Sequence, residues 1–345
     1  MAKKDIRDRS RTRAEQFLSN RELGEDGTVI GLKSAYFIIR ANDSSLHDCK
    51  PNRSTYSKNP EDETLLCVGD EVTFKRTNAS GGNEFGVGVI TTVKERKNKI
   101  SRARDRRMTR SGESSLVIAS NLDNIVIIAS AFEPMFRPGL VDRYLVYAGF
   151  ERLNPLIVVN KMDLCLDKRD HKDVIAITEV YKKLGYQLLY LSVETGKGMD
   201  SLFKFLDGKT SVLCGHSGVG KTSIMNFLTK SNFDTKDVSE RTLKGSHTTS
   251  NAMMKELVEI RGYRFMNKSF IVDTPGIREF GLEMISKLEI RHFFPEFEVY
   301  ATNCQFSSCL HESEPNCGVK KAVEDKKILK ARYESYLNIM ATATN

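Results

Sequence analysis

A multidomain chain is predicted, with a small closed β-barrel, then an α/β domain on a parallel sheet, then a helical subdomain built around metal-ligating side chains. Three observations predict it. From Thr28 the chain runs in short β-type stretches (TVIGL, AYFIIR, LLCVGDEVTF, FGVGVITTV) separated by Gly, Asn, Asp and Ser clusters. From Asn121 fully apolar stretches of strand length alternate with segments long enough for helices. Near the C-terminus Cys304, Cys309, His311 and Cys317 crowd into 14 residues.

Composition bounds the rest. A chain of 345 residues with 40% hydrophobic and 28% charged residues supports two or three domains with their own cores. It has no run of about 18 apolar residues, so a soluble protein that spans no membrane is expected. The charged start MAKKDIRDRSRTR has no apolar core and is not a secretory signal. Seven cysteines, three of them between 304 and 317, suit a reducing cytoplasm better than a disulfide framework. The formal charge of +8 points toward a polyanionic partner.

In chain order, residues 1–13 carry Lys3, Lys4, Arg7, Arg9, Arg11 and Arg13 against Asp5 and Asp8, and read as a disordered basic arm. Within the barrel, the polar stretch Asn42 to Glu63 and the turn Asn78 to Asn83 are expected to be connections. Lys94 to Arg110 holds nine basic and two acidic residues and is expected to touch a phosphate backbone. With few aromatics interleaved, contact with a folded RNA surface is favoured over stacking on single-stranded bases.

In the α/β part, LDNIVIIAS, NPLIVV, QLLYLS, SVLCG and SFIVD read as buried strands of a parallel sheet, whose ligands bind at the strands' carboxyl ends. The segment Cys214, Gly215, His216, Ser217, Gly218, Val219, Gly220, Lys221, Thr222 closes SVLCG and fits G-x-x-x-x-G-K-[ST] between a strand and a helix. The glycines let main-chain N–H groups close on a phosphate. Lys221 would reach the outer phosphates and Thr222 the bridging Mg2+.

After NPLIVV come Asn160, Lys161, Met162 and Asp163. A carboxylate there can accept the ring N–H and the exocyclic amine of guanine, a pair adenine does not offer; Asn160 would face the guanine carbonyl and Lys161 pack over the base. Ser192 and Val193 open the loop Ser192-Val193-Glu194-Thr195-Gly196, whose main chain can meet the same carbonyl. After SFIV, Asp273 can hold Mg2+ through water and the Gly276 N–H can meet the terminal phosphate. In KGSHTTSN the hydroxyl of Thr248 or of Thr249 completes the metal shell. Together these segments specify GTP and GDP rather than an adenine nucleotide.

Their order is unusual. In Ras-like enzymes the phosphate loop comes first and the base-reading segment late, whereas here NKMD and SVETG precede GHSGVGKT, so the domain reads as circularly permuted. Beyond it, the spacing C-x4-C-x-H-x5-C supplies three thiolates and an imidazole, a closed tetrahedral set for one structural Zn2+. Val319 to Met340 is lysine-rich with helical period and reads as one helix packing on the domain through Ile328, Tyr333, Tyr336, Leu337 and Met340.

This order of parts resembles the circularly permuted, small-ribosomal-subunit-dependent GTPases of late bacterial ribosome assembly. The resemblance rests on NKMD, SVETG, GHSGVGKT, SHTT, DTPGI and the Cys3His cluster, and covers nearly the whole chain. It implies a basic arm (1–27), an OB-type RNA-binding barrel with basic linker (28–112), a permuted P-loop GTPase domain (113–283) and a zinc-binding C-terminal domain (284–345). It also implies GTP hydrolysis stimulated by the small subunit, contact with its rRNA, and release once GTP is spent. Nothing in the sequence signals an oligomer, so a monomer is the default. The chain departs from the family in lacking a compact basic loop within 42–63, and in Ser246 and Ser250, where Arg and Thr are frequent.

Ile277 stands where Ras-like enzymes place a water-orienting glutamine, so slow turnover of the free protein is expected, near or below about 10⁻³ per second. His247 is similar to a histidine implicated in the family's hydrolysis and is the residue expected to orient water. The alternative is a non-catalytic RNA-binding module that holds GTP as a structural ligand. Lys221, Thr222 and Asp273 favour the enzyme.

Overall fold

The computed structural model describes residues 24–33, 36–62, 64–77, 86–103, 115–229, 252–273 and 282–343. Five strands, β1 (Glu25–Lys33), β2 (Tyr36–Ala41), β3 (Leu46–Ser57), β4 (Glu71–Thr77) and β5 (Gly86–Val93), close a barrel in the order β1-β2-β3-β5-β4. Alternate residues fill it: Val29, Ile39, Cys49, Val72, Phe74, Ile90 and Val93 are fully buried.

The polar stretch expected to be a connection supplies β3, which pairs with β2 on one side and β5 on the other. Its hydrophobic signal is weak because Cys49 is its only fully buried apolar residue, and the neighbouring buried residues His47 and Asp48 are polar. The ladder to β5 slips between Pro51 and Tyr56, where a residue without an N–H breaks the pairing.

The basic run after the barrel also departs from expectation. The Arg96 side chain is buried and bonds Asp62 at 2.6 Å, Asp70 at 2.7 and 2.8 Å and the Thr64 carbonyl at 3.1 Å. Lys99 donates to Asp62, and Lys94 pairs with Asp26 at 2.7 Å. Arg96 and Lys99 tie the barrel's loops to the strand pair β6 (Lys99–Ala103) and β7 (Ser115–Ser120), while Lys97 keeps its side chain 78% exposed. The remaining basic residues at 104–110 lie outside the described residues, as do 1–23.

The central sheet has six strands in the order β10-β9-β8-β11-β13-β12. They are β8 (Asn124–Ser130), β9 (Asn154–Asn160), β10 (Gln187–Tyr190), β11 (Thr210–Gly215), β12 (Met253–Ile260) and β13 (Tyr263–Asp273). All pairings are parallel except that of β12 with β13. β12 escapes an apolar-run criterion because it is a half-exposed edge strand, buried only at intervals.

Among the described residues four helices cover the faces: α1 (Pro138–Phe150), α2 (Lys168–Lys183), α3 (Met199–Leu206) and α4 (Lys221–Thr229). Strand residues divide between two cores by parity. Ile125, Ile127, Val212, Cys214 and Val272 pack with Tyr144, Leu145 and Ala148 of α1. Val126, Ile128, Leu213 and Ile271 pack with Leu202, Phe203 and Leu206 of α3 and Ile224 and Leu228 of α4.

Past the sheet come α5 (Lys287–Ile290), α6 (Pro295–Ala301), α7 (Gly318–Glu324) and α8 (Lys330–Met340). The single helix expected at 319–340 is therefore two. Lys326 takes a left-handed φ of +59°, and the turn lets Ile328, Tyr336, Ile339 and Met340 all bury. Arg332 of α8 reaches Asp142 of α1 and Glu296 of α6, joining the C-terminal helices to the sheet domain. Among the described residues no helix is long and apolar enough to cross a membrane.

Candidate nucleotide and metal sites

The phosphate loop joins the end of β11 to the start of α4. Gly215 has φ +145°, and a Cβ there would lie 2.1 Å from the Ile128 carbonyl; at Gly220 (φ +94°) it would lie 2.3 Å from Asn160 Nδ2. Only glycine fits either position. Lys221 Nζ donates to the Gly215 and His216 carbonyls at 2.7 and 2.6 Å, so the ammonium lies across the mouth of the loop. Thr222 occupies the first turn of α4, Ser217 is exposed, and the buried Cys214 thiol points into the core toward the Val126 carbonyl. His216 Nε2 lies 3.4 Å from Arg137 Nη1.

Asn160 ends β9 and is buried. Its Nδ2 donates to the Val219 carbonyl at 2.9 Å and its Oδ1 accepts from the Val193 N–H at 3.4 Å. The side chain expected to face guanine is thus spent as a tether, tying the base-reading segment to the phosphate loop on one side and to the loop after β10 on the other. The apolar run before it gave no signal for that role. Lys161 stands in the left-handed region at φ +62° and its ammonium bonds the Glu133 carbonyl, while Met162 N–H donates to the Leu191 carbonyl at 3.2 Å. Asp163 is exposed at the mouth. Buried Ser192 accepts from the Thr195 N–H at 3.2 Å, which curls the loop.

Asp273 ends β13, next to β11, which places it and Thr222 at the same edge of the sheet. Burial pushes the Asp273 carboxyl above its ordinary range, and Lys255 pulls against that rise. His247, Thr248, Thr249, Gly276 and Ile277 lie outside the described residues.

The second site is the Cys3His cluster. The ligating atoms of Cys304, Cys309, His311 and Cys317 all lie within 4.8 Å of one another. Cys304 Sγ is 3.8 Å from Cys317 Sγ, and His311 Nδ1 is 3.5 and 3.3 Å from those two sulfurs. Tetrahedral Zn–S bonds of about 2.3 Å separate sulfurs by about 3.8 Å, so the donor set fits zinc. A disulfide requires about 2.05 Å. Tyr333 and Tyr336 of α8 bond the His311 and Leu310 carbonyls and brace the ligand loop.

A P-loop, an Asn-Lys-x-Asp segment and a third loop meeting at the carboxyl edge of the sheet's parallel strands are the arrangement of a GTPase, and the sequence order of those parts makes it circularly permuted. The model of the RsgA GTPase family matches residues 93–283. The small ribosomal subunit biogenesis GTPase RsgA of Chlorobaculum parvum is 40% identical over 315 residues, covering 91% of this chain and 96% of that one. The structure of YjeQ from Thermotoga maritima superposes with a TM-score of 0.66 at 29% identity, covering 92% and 98%. That of YloQ, described as a circularly permuted GTPase, gives 0.66 at 25%, covering 92% and 94%. The chain belongs to the RsgA GTPase family and is a GTP-hydrolysing P-loop enzyme.

Proposed function

We propose that this protein acts in biogenesis of the small ribosomal subunit, binding it in the GTP state and leaving after subunit-stimulated hydrolysis. The observation that carries the reading is the Asn160 tether, which makes base-reading and phosphate-binding loops one unit. The relatives' names supply the partner.

In this reading Asp163 accepts from the guanine edge, Ser192 and Val193 offer main chain to its carbonyl, and residues 215–222 wrap the phosphates. Lys221 neutralises the outer phosphates, and Thr222, Asp273 and one of Thr248 or Thr249 would hold Mg2+. When bound, that ion offsets charge on the β- and γ-phosphates. The Gly276 N–H contacts the terminal phosphate and His247 orients the attacking water. Cys304, Cys309, His311 and Cys317 hold one structural Zn2+. The barrel and zinc domain contact rRNA, within the boundaries 1–27, 28–112, 113–283 and 284–345, and the protein works as a cytoplasmic monomer.

The test is GTP turnover with and without small subunits, with large subunits and ATP as controls. Strong stimulation by small subunits alone is expected, and Lys221→Ala should abolish it. Equal rates with and without subunits would refute the partner. Retained turnover in Lys221→Ala would refute the catalytic assignment.

A further inference from the structure

The hairpin between β12 and β13 turns on two residues, Arg261 at φ +46° and Gly262 at φ +84°, the left-handed pair of a tight type I′ turn closed by the pairing of Ile260 with Tyr263. The turn curls over the face of the sheet that carries α3 and α4. There the Arg261 guanidinium lies 4.3 Å from the centroid of Phe227, near the end of the phosphate-loop helix. Its Nη1 also lies against Gly196, 3.6 Å from where a Cβ would stand, in the loop that Ser192 opens. The seat is stiff. Phe203 packs on Phe227 at 6.1 Å and on Tyr263 at 5.3 Å, and Tyr263 meets Phe265 edge-on at 5.2 Å.

One cation therefore touches two of the elements that build the nucleotide pocket while standing on a third. β12 follows directly on the segment with the switch threonines, Phe227 belongs to the helix that begins at Lys221, and Gly196 ends the loop whose main chain faces the guanine carbonyl. Gly196 is left-handed at φ +76°, a conformation glycine takes without strain, and its bare main chain leaves room for the guanidinium beside the loop. An arginine suits the task because its planar group stacks on a ring with one face and presents N–H edges to a backbone.

We infer that Arg261 is a positioning residue for guanine recognition, holding the loop Ser192–Gly196 so that its main chain meets the 6-oxo group of the base. This rests on the reading of that loop as part of the guanine site. Arg261 acts through the loop and touches neither phosphate nor metal, so its loss should weaken contact with the 6-oxo group specifically.

The experiment uses the full-length zinc-loaded protein with Mg2+ and measures dissociation of GDP and of 2-aminopurine riboside 5′-diphosphate, which lacks the 6-oxo group. Wild-type protein should hold GDP more tightly. Arg261→Ala should raise GDP dissociation about tenfold while leaving the analogue within about twofold, and Arg261→Lys should recover part of the difference. Phe227→Leu, which removes the ring under the guanidinium, should reproduce the pattern; it carries the test if Arg261→Ala fails to fold. A wild-type protein that does not distinguish the two nucleotides overturns the guanine-site reading itself. A wild-type protein that does, with equal losses for both nucleotides in Arg261→Ala, or in Phe227→Leu where that variant carries the test, overturns only the role given to Arg261.

Discussion

Replacing Arg332 with alanine should be among the most damaging single changes outside the nucleotide site. Arg332 is 3% exposed, and its guanidinium lies against Asp142, which is fully buried, and Glu296, bonded at 2.7 and 3.2 Å. Tyr181 donates to the same Asp142 oxygen at 2.7 Å, and the cation stacks 4.6 Å from the Phe294 ring. Removing it strands a buried carboxylate, a loss of about 3–5 kcal/mol. That corresponds to a fall in melting temperature on the order of 10 °C for a domain of this size.

The pH dependence follows from the Asp142 carboxyl. Burial raises it above 3.8 and Arg332 pulls it down, so the folded chain binds this proton more tightly than the unfolded chain. Ionised Asp142 thus carries a penalty that is present above its folded pKa and relieved as pH falls through that value toward 3.8. Without Arg332 the carboxyl rises further, so the deficit of Arg332→Ala should be largest at pH 8 and shrink toward pH 5. Thermal melting of wild type, Arg332→Ala and the neutralised pair Asp142→Asn/Arg332→Met, each at both pH values, measures this. The pair should be markedly more stable than Arg332→Ala at pH 8. A single variant that melts within 2 °C (roughly 1 kcal/mol) of wild type, or whose deficit grows on acidification, would refute the reasoning.

Two further outcomes are expected. Metal analysis should find about one zinc per chain. Cys309→Ser should remove it and lower the melting temperature, because α8 braces the ligand loop through Tyr333 and Tyr336; unchanged melting after zinc loss would rule out a structural metal. Asp163→Asn exchanges a double acceptor for an amide and should weaken GDP binding by about 10²–10⁴-fold, while xanthosine diphosphate, whose 2-oxo group accepts from an amide N–H, gains; titration calorimetry with both nucleotides reads the exchange.

Much of this molecule is legible as text because its chemistry sits in contiguous segments. The glycines of 215–220 announce a phosphate loop because left-handed backbone and close approach exclude every other residue, and the four soft ligands at 304–317 announce a metal site by spacing alone. The apolar runs ending at Ser130, Asn160 and Gly215 announce a sheet buried on both faces. What pattern reading mistook were segments whose burial is paid for by distant partners. β3 looked like a polar connection because it buries few apolar side chains, and its pairing with β5 joins segments 36–39 residues apart.

Arg96 looked like part of a nucleic-acid-binding run, yet its carboxylate partners Asp62 and Asp70 stand 34 and 26 residues away. Asn160 carries the fullest version of the same point. Its place in NKMD marks a guanine site in the sequence, but only the folded chain puts its amide between the Val219 carbonyl and the Val193 N–H. Local sequence determined which backbone shapes and ligand types this protein has. Tertiary structure alone decided which polar groups pair, because a buried donor or charge takes whatever acceptor the packing of remote strands brings within hydrogen-bonding reach.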